Sequence, residues 1–139
     1  MCIKKLDQGL EELRKITDSL PPIPNLSAFM TDTKGLVEYK VKEGYVTGEA
    51  IWKKPQYAIQ QAFMKKGSIF GMHVHERSKE ILIVINGEIK VTYGKESKVV
   101  KTGELVVVDI NVEHDAEAII DTFLVGMTIP ADDCYPETP

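Results

Sequence analysis

Three histidines and one glutamate of this chain have the types and the spacing of metal ligands. His73 and His75 are separated by one residue, Glu80 follows shortly after them, and His114 comes later in the chain. No other histidine is present in the sequence. Because imidazole nitrogens and carboxylate oxygens are common ligands of zinc, iron, manganese and nickel, these four residues predict a metal site.

Each of these residues has a simpler interpretation when it is considered alone. A single buried histidine is more often a hydrogen-bonded core residue than a ligand, and Glu80 could be the solvated end of a strand. Chance clustering is nevertheless a weak explanation in a chain so poor in histidine. The combination therefore favours a metal site over four unrelated residues.

Strands are the elements that could bring the four side chains together. Side chains on a strand alternate between its two faces, so His73 and His75 would point the same way from one strand. Glu80 opens the apolar run 81–85 after a short polar stretch, and a tight connection there would return it to the histidines. His114 could close the site only if the sheet curls round on itself.

The pattern from about Phe29 onward is typical of short strands separated by turns. The predicted strands are Leu36–Val41, Tyr45–Trp52, Tyr57–Met64, Ser68–His75, Glu80–Ile85, Glu88–Tyr93, Lys98–Lys101, Glu104–Val108, His114–Ile119 and Thr122–Ile129. The dipeptide Asn86-Gly87 between two apolar runs predicts a hairpin. Many short strands at this spacing predict an all-β sandwich or barrel.

Alternation along the strands also predicts which side chains face inward. If the ligands point inward, Leu82 and Val84 do so as well, and the outward set is Phe70, Met72, Val74, Ile81, Ile83 and Ile85. A strand that is apolar on both faces is buried on both faces, so something must cover the outer one. The N-terminal segment or a second copy of the chain would serve, and we expect a homodimer.

The ligand spacing resembles the two sequence motifs of the cupin family. Every position of the first motif is filled, by Gly67, His73, His75, Glu80 and Gly87. The second motif keeps Gly103 and His114, but Asp109, Asn111 and Ala118 replace its proline, its second glycine and its final asparagine. Asparagine tolerates the left-handed conformation, so the turn before His114 can form without that glycine. The resemblance implies a double-stranded β-helix, or jelly-roll, barrel with a metal inside it.

An amphipathic helix is predicted ahead of the strands. Apolar residues recur every three or four positions from Ile3 to Leu20, and the proline-rich stretch 21–24 ends the pattern. We expect an N-terminal helix and proline-rich connector over 1–28, a cupin β-barrel over 29–130 and an irregular tail over 131–139. The helix should pack against the barrel or a partner subunit, and a role as lid or recognition helix is less favoured.

Composition and charge argue against several classes of partner. The 139 residues include 17 basic and 21 acidic side chains, for a net charge of −4, and no basic cluster suits nucleic acid. No apolar stretch approaches the ~20 residues of a membrane span, and the first residues do not resemble a signal peptide. We therefore expect a cytoplasmic protein without nucleic-acid or membrane partners.

Some polar residues near the motifs have less certain roles. Asp115, Glu117 and Asp121 are interpreted as solvated charges, whereas Asp109 is a candidate to support a metal ligand from behind. Cys2 and Cys134 lie at opposite ends of the chain and are interpreted as bystanders.

The ligand set leaves the reaction open. We expect one divalent metal ion per chain, with Fe, Mn, Ni, Co or Zn as candidates. Four protein ligands saturate a tetrahedral zinc ion, whereas they leave two positions of a six-coordinate ion for a substrate. Because cupins with these ligands catalyse oxidative cleavage, isomerisation and decarboxylation, the resemblance implies a small dioxygenase, isomerase or lyase. In such an enzyme, Glu80 or a metal-bound hydroxide would move a proton. The alternatives are a non-catalytic module that binds or senses a small ligand, and a purely structural metal site.

Overall fold

The computed structural model describes residues 2–5 and 37–131, except for the side chains of residues 2–5, 37 and 49–52. All regular elements in these ranges are strands, which confirms the all-β prediction. They are β1 (Cys2–Lys5), β2 (Val37–Glu38), β3 (Val46–Lys54), β4 (Tyr57–Met64), β5 (Lys79–Asn86), β6 (Glu88–Tyr93), β7 (Glu96–Lys101), β8 (Glu104–Val108), β9 (His114–Ala118) and β10 (Thr122–Ile129). Among the described residues, no helix is long and apolar enough to cross a membrane.

The strands form two antiparallel sheets. The larger one has seven strands in the order β1-β8-β5-β10-β4-β3-β2, and the smaller one has three in the order β7-β6-β9. Most strands that pair in the larger sheet are distant in the chain. For example, β5 pairs with β8 on one side and with β10 on the other. Strands from the middle and the end of the chain are therefore needed to complete the sheet that carries β5.

The main core is shared by both sheets. Alternate residues of the larger sheet, among them Leu82, Val84 and Leu124, are buried in one cluster with Ile89 and Val91 of the smaller sheet. This is the expected pattern for a sandwich in which each strand turns one face inward. The prediction that Leu82 and Val84 face inward is confirmed.

The other face of β5 is also apolar. Ile81 is fully buried in a second cluster with Tyr57, Leu105 and Met127, and Ile83 packs against it. Ile85, further along the same face, is 55% exposed. The prediction of an apolar outer face on this strand is therefore confirmed, and a homodimer remains a prediction.

The first strand corrects part of the predicted N-terminal helix. Cys2–Lys5 pair antiparallel with β8, with Ile3 opposite Val106, so the helical pattern does not form at Ile3. A β-ladder satisfies the backbone groups along the edge of β8, and this tertiary pairing overrides the local apolar period. The rest of the predicted helix, to Leu20, lies outside the described residues, as does most of the predicted C-terminal tail.

The predicted hairpin at Asn86-Gly87 is wrong. Its two flanking strands, β5 and β6, belong to different sheets, so the dipeptide carries the chain from one sheet to the other. Gly87 has a φ of 129°, and a β-carbon there would overlap Thr122. The Thr122 hydroxyl accepts a hydrogen bond from the Glu88 backbone N–H at 3.1 Å. This bond holds the segment that crosses between the sheets close to the start of β10. The dipeptide signal identified a turn but not the strands that it joins.

Replacing Gly87 by alanine tests this crossing. We expect Gly87→Ala to lower the free energy of unfolding by about 2–4 kcal/mol, because it adds a left-handed backbone penalty and an overlap with Thr122. Gly94→Ala is the matched control, since Gly94 has a φ of 60° with open space around it. It should cost only about 1 kcal/mol. Urea unfolding measures the free energy of unfolding of both variants. Equal losses of stability in the two would contradict the argument that Thr122 leaves no room for a β-carbon at Gly87.

Candidate metal centre

The four side chains singled out in the sequence meet at one point. The ligand atoms of His73, His75, Glu80 and His114 all lie within 4.8 Å of one another. Glu80 is on β5 and His114 on β9, whereas both other histidines lie on the segment that connects β4 to β5. Three of the four residues are buried and His73 is partly buried. Two sheets and one connecting segment thus converge on the cluster.

The segment 68–75 differs from the strand that its alternation predicts. It meets β9 only through isolated bridges, Ile69 to Glu117 and His73 to His114. Between these bridges the segment advances four residues while β9 advances three, so it contains one extra residue. Gly71, with a φ of 103°, lies at this bulge. Because the bulge shifts the alternation, the predicted outward position of Phe70 is wrong, and its side chain packs against the main core.

Asp115 holds the bulge in place. Its Oδ1 accepts hydrogen bonds from the backbone N–H groups of Gly71, at 2.9 Å, and Ala116, at 2.7 Å. The sequence interpretation of this residue as a solvated charge is therefore wrong. No local pattern could have identified the role, because it depends on a contact between residues 44 positions apart.

The rings of His73 and His114 are oriented by backbone carbonyls. His73 Nδ1 lies 2.7 Å from the Gly71 oxygen, and His114 Nδ1 lies 2.9 Å from the Val112 oxygen. The carbonyl fixes Nδ1 as the donor in a neutral ring, so Nε2 presents a lone pair. This arrangement is typical of metal-binding histidines.

Glu80 is the buried carboxylate of the cluster. Its Oε2 lies 2.9 Å from His75 Nε2, and its Oε1 lies 3.1 Å from His114 Nε2. Burial alone would raise the pKa of this carboxyl, but its contacts with the rings of His114 and His75 outweigh burial and hold the pKa well below its ordinary value. The carboxylate is ionised at neutral pH and supplies the negative charge that a cation site requires.

The donor set fits a metal ion. A neutral His114 that donates through Nδ1 would turn its Nε2 lone pair toward the Glu80 carboxylate, and two such electron-rich groups repel. A cation between them, whether a proton or a metal ion, removes the repulsion. Burial lowers the pKa of His73, against the opposing effect of its bond to Gly71, which favours the neutral ring that binds metal.

The turn before His114 supports the site from another side. Asn111 has a φ of 60°, which confirms that asparagine takes the left-handed position in this turn. The backbone N–H of Asn111 donates a hydrogen bond to the His75 carbonyl at 2.8 Å. The turn therefore fixes the backbone at His75, one of the candidate ligands. Asp109 is exposed, and its carboxylate lies 3.6 Å from the Lys79 amine.

A cavity of about 280 Å³ opens onto the cluster. This volume is near the lower end of small-molecule sites. Its lining comprises the four ligand residues with Tyr39, Lys40, Gln60, Phe70, Gly71, Met72, Val74, Leu82, Ala116, Leu124 and Gly126. Gln60 of β4 faces the cavity, whereas its neighbour Gln61 lies at the surface. Sequence analysis missed Tyr39, which lies outside any strand.

Known proteins share this fold. Residues 61–125 match the family model for the cupin domain. No curated protein matches the sequence. Similar solved structures include KdgF from Halomonas sp., which is 21% identical with a TM-score of 0.63 over 70% of this chain and 90% of that one. A predicted oxalate decarboxylase from Thermotoga maritima is 18% identical, with a TM-score of 0.65 over 78% and 99% of the two chains.

An ectoine synthase from P. lautus is also similar, at 16% identity and a TM-score of 0.62 over 80% of this chain and 79% of that one. At such low identities, these similarities establish the fold alone. They confirm the jelly-roll architecture that the resemblance to the cupin family implies.

Removing one histidine tests the metal assignment. We expect His75→Ala to weaken binding of Co²⁺ or Ni²⁺ by more than about 100-fold, because even the partners of ligands are worth 10–100-fold. Glu76→Ala is the matched control, since it removes an exposed carboxylate next to His75 that is outside the cluster. Elemental analysis and calorimetry give metal content and affinity. Unchanged metal content in His75→Ala would refute the assignment.

Removing Asp115 tests the role of the bulge. We expect Asp115→Ala to weaken metal binding by about tenfold, because Gly71 loses its hydrogen-bond acceptor and His73 loses its fixed position. Glu117→Ala removes a carboxylate two residues further along β9 and should change the affinity much less. The same titrations compare the two variants, and equal effects would mean that Asp115 does not position the histidine.

Proposed function

We propose that this chain is a metal-dependent enzyme acting on a small organic molecule, because it matches the cupin-domain model over residues 61–125 and brings four ligand-type side chains to one cavity. His73, His75, Glu80 and His114 would hold one divalent metal ion. The observation that carries the proposal is the convergence of three imidazoles and a carboxylate within 4.8 Å at the cavity. A bound ion would act there as a Lewis acid on a carbonyl or hydroxyl oxygen.

The proposed metal is one that accepts more than four ligands. Iron, manganese, nickel and cobalt take six, so four protein ligands would leave two positions for substrate, whereas a tetrahedral zinc ion would be saturated. Three neutral imidazoles and one carboxylate would leave a divalent ion with one net positive charge. This charge favours substrates that bind through anionic oxygen.

The chain supplies its own groups for positioning and proton transfer. Among the described residues that line the cavity, Glu80 is the one carboxylate, and we assign it the movement of a proton to or from the substrate. Phe70, Leu82 and Leu124 form apolar walls that would exclude water from the reacting atoms. Lys40 is an exposed cation at the lining and would attract an anionic substrate.

The reaction we propose is of the oxygenase, isomerase or decarboxylase type. Support for an enzyme comes from the similar structures, which include a predicted oxalate decarboxylase and an ectoine synthase. A non-catalytic module that binds a metal and a small ligand is the second candidate. It is favoured by the low pKa of Glu80, since a carboxylate held ionised by two histidines carries a proton poorly.

A turnover screen with defined metals distinguishes the two candidates. Protein loaded with Fe²⁺, Mn²⁺, Ni²⁺ or Co²⁺ is incubated with small hydroxy acids, oxo acids and phenols, and mass spectrometry detects products. We expect turnover with at least one of these metals, its loss in His75→Ala and its retention in Glu76→Ala. Binding of these compounds without any product would instead support the non-catalytic module. Failure to bind any of the metals would refute both.

A further inference from the structure

Tyr39 lies at the cavity, and its contacts hold its side chain in one orientation. Its hydroxyl donates to Gln60 Oε1, and its ring meets that of Phe70 edge-on, with centroids 5.9 Å apart at 78°. The ring lies directly on the backbone of Gly48 in β3, where a β-carbon would overlap it. The Tyr39 amide also donates to the Val46 carbonyl at 2.8 Å. The phenol is thus fixed in one orientation at the cavity wall.

Gln60 is a buried amide in the same wall. It is only 6% exposed and lies on β4, opposite Gly126 of β10. Because its oxygen accepts the Tyr39 hydroxyl, its nitrogen is the part that can donate to a molecule in the cavity. A buried amide at a cavity is costly unless its hydrogen-bonding groups are used. Tyrosine and glutamine together therefore form an oriented donor.

The pair lies at a distance from the metal ligands that a small molecule could span. Gly126 pairs with Gln60 on one side and with Leu82 on the other, so β4 and β5 are two strands apart. This places the backbones of the two strands roughly 10 Å apart. Glu80 lies one inward position from Leu82 along β5. Since Gly126 has no side chain, the floor between Gln60 and the cluster is open.

We propose that Tyr39 and Gln60 form a second recognition point, which selects ligands whose far end carries a hydrogen-bond-accepting oxygen. The inference rests on the proposed function, because the near end of the ligand would bind the metal. The middle of the ligand would contact the apolar side chains of Phe70, Leu82 and Leu124. The substrate class is thus a short organic acid with a metal-binding oxygen at one end and a ketone or carboxylate oxygen at the other.

A matched pair of probes tests this recognition by binding alone. Hexanohydroxamic acid offers a metal-binding head and an apolar tail, and its analogue with a ketone in place of the penultimate methylene adds one acceptor. Calorimetry measures the affinity of the Co²⁺-loaded protein for each probe. The visible spectrum of cobalt reports whether the hydroxamate head has bound to the metal. We expect the ketone analogue to bind about three- to tenfold more tightly, the value of one hydrogen bond.

Variants assign that preference to the pair. Gln60→Met keeps the volume and removes the donor, so the two probes should bind equally while metal content is unchanged. Gln61→Met is the matched control, because its side chain is exposed on the opposite face of β4. Tyr39→Phe keeps the ring on Gly48 and removes the hydroxyl that orients Gln60, so it should reduce the preference without affecting folding.

The outcomes separate this inference from the proposed function. Equal binding of the two probes by the unaltered protein, or a preference that survives both Gln60→Met and Tyr39→Phe, would refute the recognition pair and leave the metal centre intact. A Co²⁺-loaded protein that binds neither hydroxamate would refute the metal-centred function and the inference with it.

Discussion

A buried carboxylate surrounded by imidazoles is the constraint on which the organisation of this protein depends. Glu80 is 4% exposed, and an ionised carboxylate is stable at such a position only if its lost hydration is replaced. His75 and His114 replace it, and they come from different parts of the chain. The cluster can therefore form only when β5, β9 and the segment before β5 are all in place.

The central strand β5 links this cluster to the hydrophobic core. One face of β5 carries Glu80, Leu82 and Val84 in succession, so the carboxylate and the apolar core residues lie on the same side of the strand. The other face carries Ile81, buried in a separate cluster. With apolar packing on both faces, the strand has little freedom to slide, because a shift by one residue would place Glu80 in the apolar cluster of the opposite face. Core packing thus fixes the register that positions the ligand.

Irregular backbone is concentrated around the cluster. The bulge at Gly71 and the left-handed Asn111 lie beside the cluster, and each makes a contact that a regular strand would not. The bulge lets Phe70 and His73 line the same cavity, and the Asn111 amide binds the His75 carbonyl. Regular strands supply the rigid frame, and these two departures from regularity adjust the direction of the ligands within it.

The sequence by itself determined the residue types of the candidate metal centre, the inward face of β5 and the left-handed turn at Asn111, because each depends on residue chemistry and local alternation. Only the tertiary structure decided that β5 and β6 belong to different sheets, that Ile3 lies in a strand and that segment 68–75 contains a bulge. It also decided that Tyr39 and Gln60 share the cavity with the ligands. A period of two reports which neighbours share a face, whereas strand pairing and bulges depend on hydrogen bonds between residues far apart in the chain, about which local alternation carries no information.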